Sequence, residues 1–172
     1  MIRGQVERMT ERPEELEERY QPIVQALEDR FGEQLKTVVL FGSQVRGEAK
    51  PHSDHDLFVV IEELPQDPVA RSRMVRTALL PVLELLPGPI GFVAKTPSEV
   101  QDALTPLLLD VCTEGVCLYG TSYFEPRRQK ALKALQQSNL HRRKIGGSLM
   151  WLFPKVPTSA WELSWEGYHE IS

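Results

Sequence analysis

This chain is short of several residue classes, and each shortage removes a class of function. It contains only two cysteines, Cys112 and Cys117, among 172 residues. That is too few for a disulfide framework, and no further ligands stand near them to suggest zinc. They read as small buried hydrophobes in a reduced cytoplasm, the expected location. No run of roughly eighteen apolar residues occurs, so a membrane-spanning helix is not expected. The N-terminal segment is polar and lacks a signal-peptide core. The net charge is only −4, so bulk attraction to nucleic acid or to an anionic membrane is not indicated. With 41% hydrophobic residues, the chain can bury the core of one domain and carry an appendage.

Against these shortages stands one dense segment, LFGSQVRGEAKPHSDHDLFVVI, residues 40–61. An apolar strand expected over 36–41 runs into Gly42-Ser43. Ten residues later a second strand, expected over 56–61, opens with Asp54-His55-Asp56. Alternate side chains of a strand share a face, so Asp54 and Asp56 point the same way, about 6.6 Å apart along the backbone. Two carboxylates on one face repel unless a cation neutralises them. Mg²⁺ suits such a pair, since it commonly takes one or two carboxylates and completes its shell with water and substrate phosphates. Leu57 to Ile61 are apolar on both faces, as in a central strand covered on both sides. Gly42 permits close backbone approach to a ligand. Ser43 can offer a hydroxyl and a backbone N–H to a phosphate. His55 points away from the acids and is expected to pack, while His52 sits in the loop. Gly-Ser or Ser-Asp alone would be ordinary turn chemistry. The weight lies in the spacing and in the two flanking strands.

The pattern Gly-Ser, ten residues, Asp-x-Asp, with Arg-Gly after the Ser, resembles the signature of the DNA polymerase β-like nucleotidyltransferase superfamily, in particular the minimal nucleotidyltransferases. The matching residues are Gly42, Ser43, Arg46, Gly47, Ser53, Asp54 and Asp56. The resemblance covers roughly residues 20–120. It implies an α/β (α+β) fold, a small mixed sheet backed by helices. It implies Asp54 and Asp56 as catalytic metal ligands for Mg²⁺, and Gly42, Ser43, Arg46 and Ser53 as the nucleotide-binding residues. The expected reaction is Mg²⁺-dependent transfer of a nucleoside monophosphate from ATP or another NTP to a hydroxyl acceptor. Active members carry a third acid on the strand after the crossover helix. That strand is expected over 90–94, and the acid aligns with Gly91. No carboxylate occurs between Glu84 and Glu99. Three readings therefore stay open. One is a slow transferase that recruits Glu48, Glu62 or Glu84. Another is a catalytically weakened or inactive member that binds nucleotide or protein. The last is the antitoxin-like half of a two-gene module that modifies a small helical partner protein.

Helix signals complete the reading. An acidic helix is expected over about 13–19, with Pro22 starting a second that carries Ile23, Leu27 and Phe31 inward. Asp67-Pro68 reads as an N-cap, with a kink at Pro81. Thr96-Pro97-Ser98-Glu99 has the form of a capping box opening one helix to about Asp110, bent at Pro106. Residues 116–119 form a short edge strand, closing a nucleotidyltransferase domain over 1–120. Residues 121–172 are expected to be a C-terminal helical and aromatic extension, a basic helix followed by a tail with all three tryptophans, Trp151, Trp161 and Trp165. That extension is expected to engage a second copy or a partner protein. Residues 1–33 carry nine acids and five arginines, whereas residues 123–144 carry seven bases and only Glu125. These are solvated helix faces by default, and complementary to each other or to a partner otherwise.

Overall fold

Alternation along two central strands decides what covers each side of the sheet. In β1 (Leu35–Phe41) and β2 (His55–Ile61), Val38, Leu40, Leu57, Val59 and Ile61 face one buried cluster, and Val39, Phe58 and Val60 face another. The computed structural model describes residues 11–171. The polar N-terminus and Glu7 of the acidic segment lie outside that range. A four-stranded mixed sheet runs in the order β3-β2-β1-β4, with β3 at Ile90–Lys95 and β4 at Val116–Tyr119. β2 pairs antiparallel with β1 and parallel with β3, while β4 pairs antiparallel with β1. This is the expected mixed sheet backed by helices. Among the described residues no helix is long and apolar enough to cross a membrane.

On the first face lies α1 (Pro13–Phe31), a single helix where two were expected. Pro22 stands inside it on the exposed side. Its ring removes one backbone hydrogen bond, and on that side water can satisfy the freed carbonyl. The buried stripe Leu16, Tyr20, Ile23, Leu27, Phe31 continues through it unbroken. α3 (Pro68–Leu79) shares this face, with Asp67 Oδ2 accepting the Ala70 N–H at 2.7 Å as the expected cap. It ends in a short 3₁₀ turn at Leu80–Val82, where Pro81 cannot continue the helix.

The second face is covered by α4 (Pro97–Asp102), α5 (Pro106–Glu114) and α6 (Thr121–Ser138). The capping box forms as expected, since Thr96 N–H donates to Glu99 Oε2 at 2.8 Å and Glu99 N–H to Thr96 Oγ1 at 3.3 Å. The bend expected at Pro106 is a full break. Thr105 caps a separate helix by accepting the Leu108 N–H at 3.3 Å, and Pro106 takes its first position, which needs no N–H.

The seam expected at residue 120 runs through shared core. Phe124, Ala131, Ala134 and Leu135 of α6, with Trp165, pack in the same cluster as Val39, Phe58, Val60 and Leu108. The basic helix expected to open the extension is α6, and the aromatic tail follows it. The tail forms two hairpins, β5 (His141–Ile145) with β6 (Ser148–Leu152), and β7 (Ala160–Ser164) with β8 (Gly167–Ile171). Gly146 and Gly147, at φ 56° and 86°, make the two-residue turn whose positive φ suits a right-twisted hairpin. None of the ion pairs among the described residues joins α1 to α6.

Candidate active site

The end of β2 is where chemistry concentrates. His55 belongs to the first face and Asp56 to the second, by the same alternation that sorts the core. His55 is fully buried, bonded through Nδ1 to the Tyr20 hydroxyl and through Nε2 to the Pro87 carbonyl at 2.7 Å. Burial pushes the Tyr20 hydroxyl up to about 12, so it keeps its proton and donates it to Nδ1. Nε2 donates to the Pro87 carbonyl, which can only accept, so both ring nitrogens are used. The packing role expected for His55 is therefore a brace. It joins β2 to α1 and to the Pro87-Gly88-Pro89 turn, whose Pro89 carbonyl also accepts the His55 N–H at 2.9 Å. Tyr20→Phe is expected to cost about 1–3 kcal/mol, because it leaves a buried ring nitrogen unpaired. Urea unfolding of the variant beside the parent protein measures it.

On the other face Asp56 is half-buried and Asp54 exposed at the strand's start. Burial, and then the neighbouring Asp54 charge, raise the Asp56 carboxyl above its ordinary range. Gly42, at φ 83°, lies against it, and a Cβ on Gly42 would sit 2.5 Å from Asp56 Oδ2. A side chain there would displace the Asp56 carboxylate and would be strained by the positive φ. Gly42 caps α2 (Ser43–Arg46), a single turn ended by Gly47 at φ 67°. The first-turn N–H groups of Ser43 and Gln44 have no helical carbonyl to bond. Gln44 instead uses its side chain, donating to the Ser53 carbonyl at 3.2 Å and fixing the loop before Asp54.

Two expected nucleotide-binding residues are already engaged. Ser53 Oγ accepts the Lys50 N–H at 2.7 Å, which closes its own loop. Arg46 donates through Nη1 to both oxygens of Glu114 at 3.0 and 3.1 Å, and through Nε to Glu48 at 3.2 Å. Glu114, at the end of α5, went unnoticed in the sequence. It accepts the Gly42 N–H at 3.0 Å and Arg142 Nη1 at 2.7 Å. Its burial would raise the carboxyl, but Arg142, Arg46 and the Gly42 amide together hold it below the ordinary range. It serves as an anionic post that fixes the Gly42 turn.

Gly91 faces Asp56 directly across the parallel pair, and a Cβ there would come 3.3 Å from Asp56 Oδ1. The expected place of the third acid is thus beside Asp56. Of the acids considered as substitutes, Glu48 lines the same cleft as Asp56. Glu62 lies at the far end of β2, paired with Lys36 at 2.9 Å, and Glu84 is absent from the cleft lining. The cleft measures about 250 Å³ and brings Gly42, Arg46, Glu48, Asp56, Asp110 and Glu114 together with Arg142 and Lys144 of β5. No group of three or more His, Cys, Asp or Glu among the described residues could hold a metal unaided. Two carboxylates, one of them destabilised by the other's charge, fit a cation that completes its shell with phosphates and water.

The nucleotidyltransferase domain family matches residues 21–102. Residues 21–102 of the chain carry a nucleotidyltransferase domain. The chain's similarity extends to a relative from Methanocaldococcus jannaschii, MJ1305, provisionally named a protein adenylyltransferase, 28% identical over 59% of this chain and 69% of that one. Two crystal structures share the fold. One is a toxin-antitoxin with AMP-PNP, at TM-score 0.51 and 24% identity, covering 72% of this chain and 89% of that one. The other is a mutant of the toxin-antitoxin MntA-HpeT, at TM-score 0.50 and 22% identity, covering 69% and 88%. The nucleotidyltransferase match ends before α5, so Glu114 and the β5–β6 hairpin lie beyond it.

Proposed function

We propose that this protein transfers AMP from ATP, or a nucleoside monophosphate from another NTP, to a hydroxyl on a partner protein, as the antitoxin-like half of a two-gene module. The observation that carries this reading is Asp56 at the tip of a buried strand, pressed against the Gly42 turn, with the exposed Asp54 two residues before it. Mg²⁺ held by those two carboxylates and the substrate phosphates would offset the charge that builds up during transfer. The acceptor oxygen bonds to the α-phosphorus as the bond from that phosphorus to pyrophosphate breaks, and the hydroxyl proton is released to solvent. A protein acceptor is supported by the provisional name of the archaeal relative and by the toxin-antitoxin complexes that share the fold.

A second reading has its own observation. With Gly91 where a third carboxylate would stand, deprotonation of the acceptor lacks an evident base, and the domain would bind nucleotide with little turnover. Both readings are tested by incubating the protein with labelled ATP and Mg²⁺, alone and with the product of the adjacent gene. Label is expected on the partner, and none after chelation. Nucleotide binding without any transfer would instead decide for the second reading. Gly91 has ordinary extended backbone and room for a side chain whose neighbour shifts slightly. Gly91→Asp is therefore expected to raise transfer by about tenfold or more, toward the range typical of a positioned base.

A further inference from the structure

Three cations and four carboxylates line the cleft, and among the described residues Lys144 and Asp56 are left outside its ion pairs. Arg46 is committed to Glu114 and Glu48, and Arg142 to Glu114 and, at 3.1 Å, Asp110. Lys144 also lines the cleft, yet it pairs with no carboxylate among the described residues. Its position is not accidental to a loose tail. Arg142 stands opposite Trp151 and Lys144 opposite Leu149 in the hairpin register. Cross-strand partners share a face, and so do residues two apart. Arg142, Lys144, Leu149 and Trp151 therefore form one face, turned to the domain. That face is fastened to α5 at two points, Arg142 Nη1 to Glu114 Oε2 at 2.7 Å and Trp151 Nε1 to Asp110 Oδ1 at 2.9 Å. Arg143 belongs to the opposite face.

The volume agrees with a partial occupant. About 250 Å³ is below the roughly 300–1,000 Å³ of pockets that enclose a whole drug-sized ligand. A polyphosphate chain fits such a space, with the nucleoside outside it. A polyphosphate also needs positive charge beyond one divalent cation, and the guanidinium of Arg46 is already shared between two acids.

We propose that the β5–β6 hairpin is part of the active site and that Lys144 binds the β- and γ-phosphates of the substrate, an inference that rests on the transfer reading above. As the bond between the α-phosphorus and its bridging oxygen breaks, negative charge moves onto pyrophosphate. Lys144 stabilises that charge as an ammonium and gives up no proton. A flexible lysine suits this task, acting as a point charge where no forked geometry is required.

The test measures binding of Mg²⁺-tripolyphosphate and of a Mg²⁺-bound non-hydrolysable ATP analogue to the full chain by calorimetry. Lys144→Met is expected to weaken both by about tenfold, and Lys144→Arg to restore most of the loss. Arg143→Met removes the same charge from the outer face and is expected to change neither. Three outcomes overturn the inference. If the parent binds both probes and Lys144→Met binds them equally well, the hairpin role falls and nucleotide binding stands. If Arg143→Met weakens binding as much as Lys144→Met, the effect is bulk charge and the assignment to Lys144 falls. If the parent binds neither probe, the transfer reading falls with it.

Discussion

Asp56→Asn is expected to lower Mg²⁺-dependent transfer by more than about a hundredfold while leaving the protein at least as stable as the parent. The two effects have one origin. Asp56 is half-buried beside Asp54, and its carboxyl is raised by that burial and then by its neighbour's charge. For an acid whose folded-state value is raised, the ionised form is the less stable one in the folded protein. Stability is present below the unfolded value and lost as pH rises through the folded one. At neutral pH the parent bears that cost, and asparagine does not. The same charge pair attracts a divalent cation, so removing one member removes the binding site. Loss of a residue that merely supports a metal ligand costs about 10–100-fold in metal affinity, and Asp56 is expected to touch the metal itself. Thermal unfolding in chelator and transfer with labelled ATP measure the two halves. A variant that is both inactive and less stable would mean that Asp56 holds the fold together rather than a cation.

The part of this site legible in the sequence is the part that is local. Gly42-Ser43 and Asp54-x-Asp56 are separated by one loop, and each pair sits at the end of an apolar run. Spacing and alternation therefore gave their relation. The caps at Asp67 and Thr96 were legible for the same reason, since a side chain there bonds its own backbone three residues on. Glu114 was not legible. It reaches Gly42 only because β4 pairs antiparallel with β1 and returns the end of α5 to the start of α2. No local pattern encodes that pairing. The hairpin did carry a signal. His141–Ile145 and Ser148–Leu152 flank Gly146-Gly147, a two-residue turn of the favoured kind, but Arg142, Arg143 and Lys144 stand out in the sequence by charge rather than by period. Pro22 misled in the opposite direction, because an exposed proline leaves its unpaired carbonyl to water, and the apolar stripe through Tyr20 and Ile23 outweighs the break.

Trp165→Ala is expected to destabilise the protein by about 3–5 kcal/mol, the range for truncating a large buried aromatic. The residue lies in the turn between β7 and β8, a place where a side chain usually meets water. Here it is 5% exposed, packed in the cluster that also holds Phe58, Val60, Leu108 and Leu135. Its indole N–H donates to the Val100 carbonyl at 2.8 Å, and alanine would leave that carbonyl unpaired beside a cavity. A loss of this size is a large share of the roughly 5–15 kcal/mol that holds a domain together. Trp161, by contrast, is 43% exposed and touches Phe153 and Tyr168 of its own tail, so Trp161→Ala is expected to cost no more than about 1 kcal/mol. Denaturant midpoints for the two variants separate these cases at constant slope. Equal and small losses at both sites would mean that the tail rests on the domain without completing it. A large loss at Trp165 alone would make residues beyond 120 the closing wall of the core, and the same wall holds Lys144 over the cleft.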